Sequence, residues 1–371
     1  MSALDLEHKD FTLVHICCSV DSHHFLLELQ KTYPEKKFCG FFYNPNIHPF
    51  EEYQMRFNDV KRSCEKLGVP LYEGEYDIKE WFGGTKGLED APEKGERCSY
   101  CFDYRLERSA KKALEIGCKE FTTTLLASPM KLQHELFAQG KAMGDKYHLG
   151  FLPIDVRSGG GTQIQNKRAK EANLYRQNYC GCLYGLKAQR EKSKKIPLEL
   201  FSSLNHPRNE SNLPQLRLKN FKTREILEKG NQNYEIIKRK VMCYKMLKSL
   251  LCDGNKNVIS SFVLDYSYLS KSLIKAKVDF WQDGIGYANK EGIVFLEFSK
   301  FQKSIQKDSF SALLKEGLSA KEQMLLRSSI YNKGLFISPI IIVDSKFDGD
   351  FSLEIEYAIQ EEILEDFILR D

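Results

Sequence analysis

The feature that most constrains this chain is the grouping of its cysteines. Six of the eleven cysteines form three tight pairs, and all three pairs lie in the first half of the 371 residues. The pairs are Cys17-Cys18, Cys98-x-x-Cys101 and Cys180-x-Cys182. In a reducing compartment, thiols grouped in this way are metal ligands or redox-active groups more often than they are disulfides. The sequence therefore predicts a thiol-based site in the first half of the chain.

The length and composition are those of a water-soluble protein with more than one domain. Hydrophobic residues make up 42% of the chain and charged residues 29%, which excludes a disordered chain. The longest apolar runs, such as Ile340–Val343, are far shorter than the roughly 20 residues that a membrane helix needs. Among the first ten residues, three acidic residues outnumber a single Lys, whereas a targeting segment begins with basic residues. We therefore expect a cytoplasmic protein without a membrane partner.

The first half of the chain alternates short apolar runs with helical patterns, which predicts an α/β fold with a mostly parallel sheet. Strands are expected at Thr12–Ile16, Lys37–Tyr43, Val69–Tyr72 and Glu120–Leu125, with a fifth near Gly150. Helices are expected at about Ser22–Lys31, Glu51–Leu67, Asp103–Ile116, Leu132–Met143 and Arg168–Tyr175.

The composition and the hydrophobic pattern of the sequence change after the first 195 residues. A stretch rich in Ser, Asn and Pro predicts a linker over residues 196–220, and a helical stretch is expected at Phe221–Leu251. Eleven Lys or Arg against four Glu give the segment His206–Lys248 a surplus of basic residues. Because helical patterns and strands are mixed beyond it, we expect a smaller α+β domain at 221–371.

The first two cysteine pairs allow three kinds of site. Cys17 and Cys18 follow the first predicted strand, at the sheet edge where doubly wound proteins bind ligands. Cys98 and Cys101 precede the helix predicted at Asp103, whose N-terminus is expected to lower the pKa of their thiols. A structural zinc site, an iron–sulfur cluster and a thioredoxin-like dithiol all remain open. A vicinal pair fits zinc poorly, so the spacing favours the cluster.

Cys180 and Cys182 flank a glycine that lets two thiols turn toward one point. They could ligate a second metal, or they could cycle between dithiol and disulfide. Oxidation of a Cys-x-Cys pair closes a small, strained ring, and strained disulfides are the labile, catalytic kind. The pattern favours redox cycling over ligation.

The loop after the first strand also resembles a nucleotide-binding loop. Cys17-Cys18-Ser19-Val20-Asp21-Ser22 has the position and the last residues of the Ser-Gly-Gly-x-Asp-Ser loop, which binds pyrophosphate in ATP-dependent tRNA-modifying enzymes of the PP-loop class. The glycines of that loop let backbone amides approach the phosphate, and Cys18 and Ser19 replace both of them. The resemblance implies this fold with its nucleotide site converted to a thiol site.

Basic and aromatic residues near the cysteines are candidates for RNA binding. They are Arg105, Arg157, Lys167, Arg168, Tyr175, Arg176 and Tyr179. Such side chains together hold phosphates and stack an unpaired base, as recognition of single-stranded RNA requires. Asp21 and Asp103 are candidate proton donors, although either could instead cap a helix.

Several motifs together resemble the QueH family of epoxyqueuosine reductases. They are Leu13–Cys18, Arg97–Phe102 with Arg105-Leu106, Thr122–Leu126 with Ser128-Pro129, and Leu174–Cys182. The match covers about residues 10–195, and all three cysteine pairs agree in order and in flanking residues. It implies a three-layer α/β domain of the adenine-nucleotide-hydrolase-like (HUP) type at 1–195. It also implies a cobalamin-independent reductase whose substrate is tRNA carrying epoxyqueuosine at the wobble position.

The same resemblance implies roles for individual residues. Cys17, Cys18, Cys98 and Cys101 would hold a [4Fe–4S] cluster, and Cys180 with Cys182 would form a redox-active pair. The substrate contacts expected from the basic and aromatic group are Arg105, Tyr175, Arg176 and Tyr179. Asp21 is close enough in sequence to bind an additional iron or to deliver a proton, a role that Asp103 could also fill. An external electron donor would complete the reaction.

Two other functions remain open from the sequence. One is an ATP-dependent tRNA-modifying enzyme of the PP-loop type, and the other is a non-catalytic tRNA-binding module held together by zinc. The family resemblance does not extend to residues 196–371. The basic segment there would either extend the tRNA-binding surface or contact a partner or a second copy of the chain.

Overall fold

The computed structural model describes residues 10–129, 131–196, 213–331 and 336–370. The acidic first nine residues, and residues 197–212 of the predicted linker, lie outside these ranges. The chain divides into two compact units, Met1–Lys192 and Ser193–Asp371. Within the described ranges, no helix combines the length and the apolar character needed to cross a membrane.

The first unit alternates strands and helices around a parallel sheet. Its elements are β1 (Phe11–Ile16), α1 (Ser19–Thr32), β2 (Lys37–Phe42), α2 (Phe50–Leu67), β3 (Leu71–Glu73), α3 (Ile78–Gly84), α4 (Glu96–Glu115), β4 (Glu120–Thr123), a 3-10 helix (Thr124–Ala127), α5 (Gln133–Tyr147), β5 (Gly150–Phe151), α6 (Gly161–Glu171) and α7 (Leu183–Lys192). The strand order is β3-β2-β1-β4-β5, and all four pairings are parallel. The order reverses between β1 and β4, and such switch points are where doubly wound sheets bind ligands.

Successive residues of β1 point to opposite faces of the sheet, and apolar residues occur on both faces. Helices therefore cover both faces. Val14 and Ile16 pack with Phe25 of α1 in one hydrophobic core. Leu13 packs with Leu106 of α4 in a second core on the other face. The result is three layers, and the predicted three-layer α/β fold with a parallel sheet is confirmed.

Helix α4 begins earlier than the sequence predicted. It starts at Glu96 rather than at Asp103, so Cys98 and Cys101 lie inside its first two turns instead of in front of it. Cys98, Cys101 and Arg105 are buried and recur at three- and four-residue spacing, which is the pattern of a helix face packed on a core. Both thiols are therefore fixed on a rigid element.

The second unit combines a seven-stranded sheet with helices. Its elements are α8 (Leu213–Lys229), β6 (Tyr234–Asp253), β7 (Ser261–Val263), β8 (Leu273–Gln282), β9 (Ile285–Ala288), β10 (Val294–Glu297), α9 (Phe298–Ile305), α10 (Phe310–Glu316), α11 (Ala320–Ile330), β11 (Ile340–Val343) and β12 (Gly349–Leu369). The strand order is β6-β12-β8-β9-β10-β11-β7, with one parallel pair, β10 and β11. The predicted α+β character of this part is confirmed.

The helix expected at Phe221–Leu251 is wrong over most of its length. The helix ends at Lys229, Asn231 takes a left-handed φ of 51°, and β6 begins at Tyr234. The apolar residues of this stretch fall at spacings that also suit a helix. Antiparallel pairing with β12 from Asp253 back to Tyr234 decides the conformation. The last residues of the predicted linker, 213–220, are helical as well.

Candidate active site

A cavity of about 320 Å³ opens in the first unit, next to the ends of β1 and β4. Its lining includes Cys17, Asp21, Arg56, Arg105, Lys131, Tyr179 and Cys180. Cys17 directly follows β1, and Lys131 comes after the short 3-10 helix that follows β4. Residues from the switch point of the sheet and from the Cys180 segment therefore border the same space.

The Cys17-Cys18 pair lies at the junction between β1 and α1. Cys18 is the extended N-cap residue of α1, with φ −161° and ψ 162°. The two Sγ atoms lie 3.9 Å apart, and Cys17 Sγ lies 3.5 Å from Asp21 Oδ2. One ligand atom from each of these three residues falls within 4.8 Å of the others. Two thiols and a carboxylate at this separation can hold a metal ion.

The two neighbouring thiols differ in acidity. The hydrogen bond with Cys18 lowers the pKa of Cys17, and the charge of Arg105 lowers it as well. Burial raises this pKa but is outweighed. The same bond and burial raise the pKa of Cys18 well above its usual value. Burial also raises the pKa of the Asp21 carboxyl, although Gln165 Nε2 donates to its Oδ1 at 2.7 Å. Cys17 therefore ionises more readily than Cys18, and the carboxyl of Asp21 stays protonated to a higher pH than usual.

Cys98 and Cys101 lie on the buried face of α4. The backbone N–H of Lys94 donates to Cys98 Sγ at 3.3 Å. Cys101 packs in one cluster with Trp81 and Cys182. Burial raises the pKa of Cys101, so the lowered value expected from the helix N-terminus is wrong for this thiol. The desolvation of the sulfur outweighs the helix dipole here.

Cys180 and Cys182 form an asymmetric pair around Gly181, whose φ of 121° only glycine adopts readily. Burial opposes ionisation of Cys180, but the adjacent charges of Lys131, Arg105 and Arg56 overcome it and lower its pKa. Burial and the neighbouring Cys180 raise the pKa of Cys182 to about 12. Of the two thiols, Cys180 therefore ionises more readily, and Cys182 is held as a thiol.

Lys131 is the residue at this site that sequence reasoning missed. It is only 8% exposed, and its Nζ donates to Cys180 Sγ at 3.3 Å. Its charge also favours the thiolate form of Cys101. Phe102 contributes a ring face, with its centroid 5.1 Å from the ammonium. The only sequence signal was the position of Lys131 shortly after a strand that ends at the same sheet edge.

Arg157 and Arg56 hold the backbone around this ammonium–thiol contact. The Arg157 guanidinium donates to the carbonyls of Ser128 at 2.8 Å and Lys131 at 2.9 Å. The Arg56 guanidinium donates to the carbonyl of Cys180 at 3.0 Å. Because side chains fix both backbone segments, the distance between Lys131 and Cys180 is well defined.

Arg105 lines the cavity, as its predicted contact with substrate requires, although little of its side chain is exposed. It is 2% exposed, and its guanidinium donates to Asn44 Oδ1 at 2.5 Å. It is close enough to Cys17, Cys101 and Cys180 to favour the thiolate form of each. Arg105 and Lys131 are thus two buried cations that between them act on all three cysteine pairs.

The two predicted tyrosines have different surroundings. Tyr179 lines the cavity, its hydroxyl donates to the carbonyl of His48, and the Arg56 guanidinium lies 5.2 Å from its ring centroid. Tyr175 is not part of the cavity lining. Its hydroxyl donates to Glu52 Oε2 at 2.7 Å, so its contacts support α2.

Arg176 and Asp103 lie away from the cavity lining. Arg176 is exposed, and its guanidinium donates to Asn166 Oδ1 at 2.8 Å. Asp103 interacts with Gln139 of α5, and burial raises the pKa of its carboxyl. Of the two predicted proton donors, the structure brings only Asp21 to the thiols.

Comparison with known proteins gives a family match for the first unit. A family model described as epoxyqueuosine reductase QueH matches residues 12–188, which lie within the first unit. A protein of Helicobacter pylori named epoxyqueuosine reductase QueH is 34% identical over 369 residues, covering 94% of this chain and 98% of the relative. A Thermotoga maritima protein of the same name is 36% identical over 187 residues, covering 50% of this chain and 94% of that one.

Two solved structures show a weaker likeness. One is a predicted subunit of a tRNA methyltransferase from Methanocaldococcus jannaschii, with 13% identity, a TM-score of 0.33, and 51% of this chain and 91% of that one covered. The other is the U34-tRNA thiolase NcsA from Methanococcus maripaludis with its [4Fe–4S] cluster, with 14% identity, a TM-score of 0.33, and 61% and 75% covered. Neither likeness bears on function at this TM-score. The family match and the full-length relative do, and the chain belongs to the epoxyqueuosine reductase QueH family.

Proposed function

We propose that this chain reduces epoxyqueuosine to queuosine at the wobble position of tRNA, without cobalamin. The observation that supports it most is the meeting of Cys17, Asp21, Lys131 and Cys180 around one cavity, in a member of the QueH family. The proposal includes the cytoplasmic location that the sequence predicts.

We further propose that Cys17, Cys18, Cys98 and Cys101 hold a [4Fe–4S] cluster. The donor set fits this group, because thiolates are the usual ligands of such clusters and all four thiols are at least partly buried. The fit is strengthened by Arg105 and Lys131, whose charges offset the negative charge of bound thiolates. The cluster, when bound, supplies one-electron transfer. Binding of an additional iron would require the ionised carboxylate of Asp21 and would exclude its role as proton donor.

The reaction determines what the remaining residues must do. Conversion of an epoxide into an alkene removes one oxygen as water and consumes two electrons and two protons. Oxidation of the Cys180 thiolate and the Cys182 thiol to a disulfide releases two electrons and one proton, and the Asp21 carboxyl supplies the second proton, so the two half-reactions balance. The low pKa of Cys180 provides the reactive thiolate, and Cys182 retains the proton of the pair. An external electron donor must then reduce the disulfide.

Proton delivery and substrate binding follow from the positions of the other residues. Asp21 is protonated to an unusually high pH and lies in the cavity, so it is the proposed donor to the departing oxygen. An anticodon loop presents its bases unstacked, and the ring of Tyr179 is the aromatic contact for such a base. Exposed Arg176 is proposed to contact phosphate, and Arg105, which lines the cavity, is proposed to contact the substrate there. Tyr175 supports the site through its hydrogen bond to Glu52.

The direct test is turnover of tRNA carrying epoxyqueuosine by anaerobically prepared protein with a low-potential reductant. Loss of one oxygen from the modified nucleoside, followed by mass spectrometry after nuclease digestion, should occur with the native chain and with Cys243→Ser. Cys180→Ser should lose at least about a thousandfold in rate, because serine cannot form the disulfide. Full turnover by Cys180→Ser would contradict the role of the dithiol.

Two results would instead support the other functions that the sequence left open. Colourless protein with bound zinc and no turnover would indicate a tRNA-binding module held together by zinc. ATP-dependent modification of tRNA would indicate an enzyme of the PP-loop type. Cys18 and Ser19 argue against the second, since both are buried and the Ser19 hydroxyl donates to Asp59 where a phosphate-binding loop would present glycine amides.

A further inference from the structure

The basic segment of the second unit is largely neutralised by a strand far from it in sequence. Strands β6 and β12 form a long antiparallel ribbon, and basic residues of β6 lie opposite acidic residues of β12. The pairs are Lys238–Glu365 at 3.7 Å, Arg239–Asp366 at 2.7 Å, Lys240–Glu361 at 3.1 Å and Lys248–Glu354 at 2.7 Å. These cations are therefore engaged within the protein, so the surplus counted along the sequence is not a free positive surface.

Four other lysines of the same unit surround an open hollow of about 790 Å³. Lys275 and Lys277 lie two residues apart on β8 and so point to the same face of the sheet. Lys256 comes from the turn after β6, and Lys290 follows β9. All four side chains are exposed, and within the described part of the chain no carboxylate forms an ion pair with any of them. We call this surface the lysine hollow.

The lining of the lysine hollow also includes two carboxylates, which leave it with a net positive charge. Asp253 is one of them, and it accepts hydrogen bonds from the backbone N–H groups of Asn255 and Asn257, at 2.9 and 2.8 Å. Asp350 is the other carboxylate in the lining. Small side chains, Ser352 and Cys252, lie in line with Lys275 across three strands. A polyanion can therefore approach the sheet closely between the ammonium groups.

We propose that the lysine hollow binds the phosphodiester backbone of tRNA, as a contact outside the family's shared domain. The occupant is inferred from charge complementarity, because lysines act as point charges toward phosphate and this lining has four of them against two carboxylates. The identification of tRNA as the polyanion rests on the proposed function. An acidic protein partner is the competing occupant.

The test compares two variants of the full chain that lose the same number of positive charges. One changes the lysine hollow, with Lys256→Gln, Lys275→Gln, Lys277→Gln and Lys290→Gln. The other changes the paired ribbon residues, with Lys238→Gln, Arg239→Gln, Lys240→Gln and Lys248→Gln. Binding of unmodified tRNA is measured by fluorescence anisotropy between 50 and 200 mM salt. Since no turnover is involved, the result does not depend on the reductase chemistry.

The hollow variant should bind tRNA at least about tenfold more weakly at low salt, and the slope of log K against log salt should decrease by about 3. The ribbon variant should change affinity less than about threefold. Equal losses in both variants would overturn the proposal, because net charge alone would then explain binding. So would unchanged tRNA affinity in the hollow variant with loss of binding to poly-glutamate, which would indicate an acidic protein partner. If the native chain bound no tRNA, the proposed substrate would fail as well.

Discussion

The two units of this protein use positive charge in opposite ways. In the first unit the cations that matter are buried, and Arg105 and Lys131 lie beside thiols that they help to ionise. In the second unit the cations are exposed, and their neighbours decide whether they are paired, as Lys240 is with Glu361, or free, as Lys275 is. Lysine therefore lowers the pKa of a thiol in the first unit, whereas in the second unit exposed lysines are available to attract anions.

The difference shows that a count of charges along a sequence does not locate a binding surface. The basic surplus at His206–Lys248 is cancelled largely by β12, whose acidic residues follow more than a hundred positions later. A charge in a low-dielectric site affects its neighbours strongly, whereas an exposed pair contributes little. Substitutions of buried and of exposed charges should thus differ widely in effect.

Among the charged residues, the largest effect is expected for the buried acid. Asp21→Asn should lower kcat/KM by about a hundredfold or more, because an amide cannot donate the proton. Burial raises the pKa of Asp21, so native activity should fall as pH rises through that value, and the variant should lack this alkaline limb. The pH profile of kcat/KM measures both. Asp103→Asn is the matched control and should stay within about threefold, and a retained alkaline limb in Asp21→Asn would contradict the assignment.

A smaller effect is expected when the buried cation is removed. Lys131→Gln takes away the charge that lies 3.3 Å from Cys180 Sγ, so the pKa of Cys180 should rise. A rise of one unit slows alkylation of this thiol at neutral pH about tenfold. The pH dependence of iodoacetamide labelling, read by peptide mass spectrometry, reports the shift. Lys131→Arg keeps the charge and should label at nearly the native rate. Equal rates in the Gln variant and the native chain would show that this ammonium does not activate Cys180.

The smallest effect is expected for an exposed pair of the β6–β12 ribbon. Lys240 and Glu361 lie 3.1 Å apart but are 74% and 48% exposed. A double-mutant cycle with Lys240→Ala and Glu361→Ala should give a coupling free energy of about 0.2–1 kcal/mol, measured by denaturant unfolding. A coupling above about 2 kcal/mol would mean that exposed pairs in this unit act as strongly as buried ones, and the contrast between the units would disappear.

Much of the first unit could be predicted from the sequence. The five strands, the parallel sheet and the position of Cys17-Cys18 at its edge follow from local patterns, because strand period and chain order already limit the topology. The family resemblance, which rests on local cysteine motifs, is confirmed by the comparisons. Helix α4 starts seven residues earlier than the sequence predicts, because Cys98 and Cys101 continue the buried face of the helix toward its N-terminus.

What could not be predicted depends on contacts between distant segments. Lys131 meets Cys180 only when the fold brings β4 and the last segment of the first unit together. Tyr175 is held by Glu52 of α2, which no local pattern indicates. The conformation of β6 likewise depends on its register with β12. Local sequence sets which elements form, whereas these long-range contacts set which charges are paired and which thiols ionise.

If the cysteine pairs of the first unit build one site, the iron and sulfide content of the protein and of its cysteine variants will show it. We predict that anaerobically prepared native protein contains about four iron and four sulfide per chain. Cys17→Ala and Cys98→Ala should each lose nearly all of both, although the two residues lie on different elements, whereas Cys180→Ser should retain them. If Cys98→Ala kept its full iron and sulfide while Cys17→Ala lost them, the two pairs would not share a centre, and the account would be wrong.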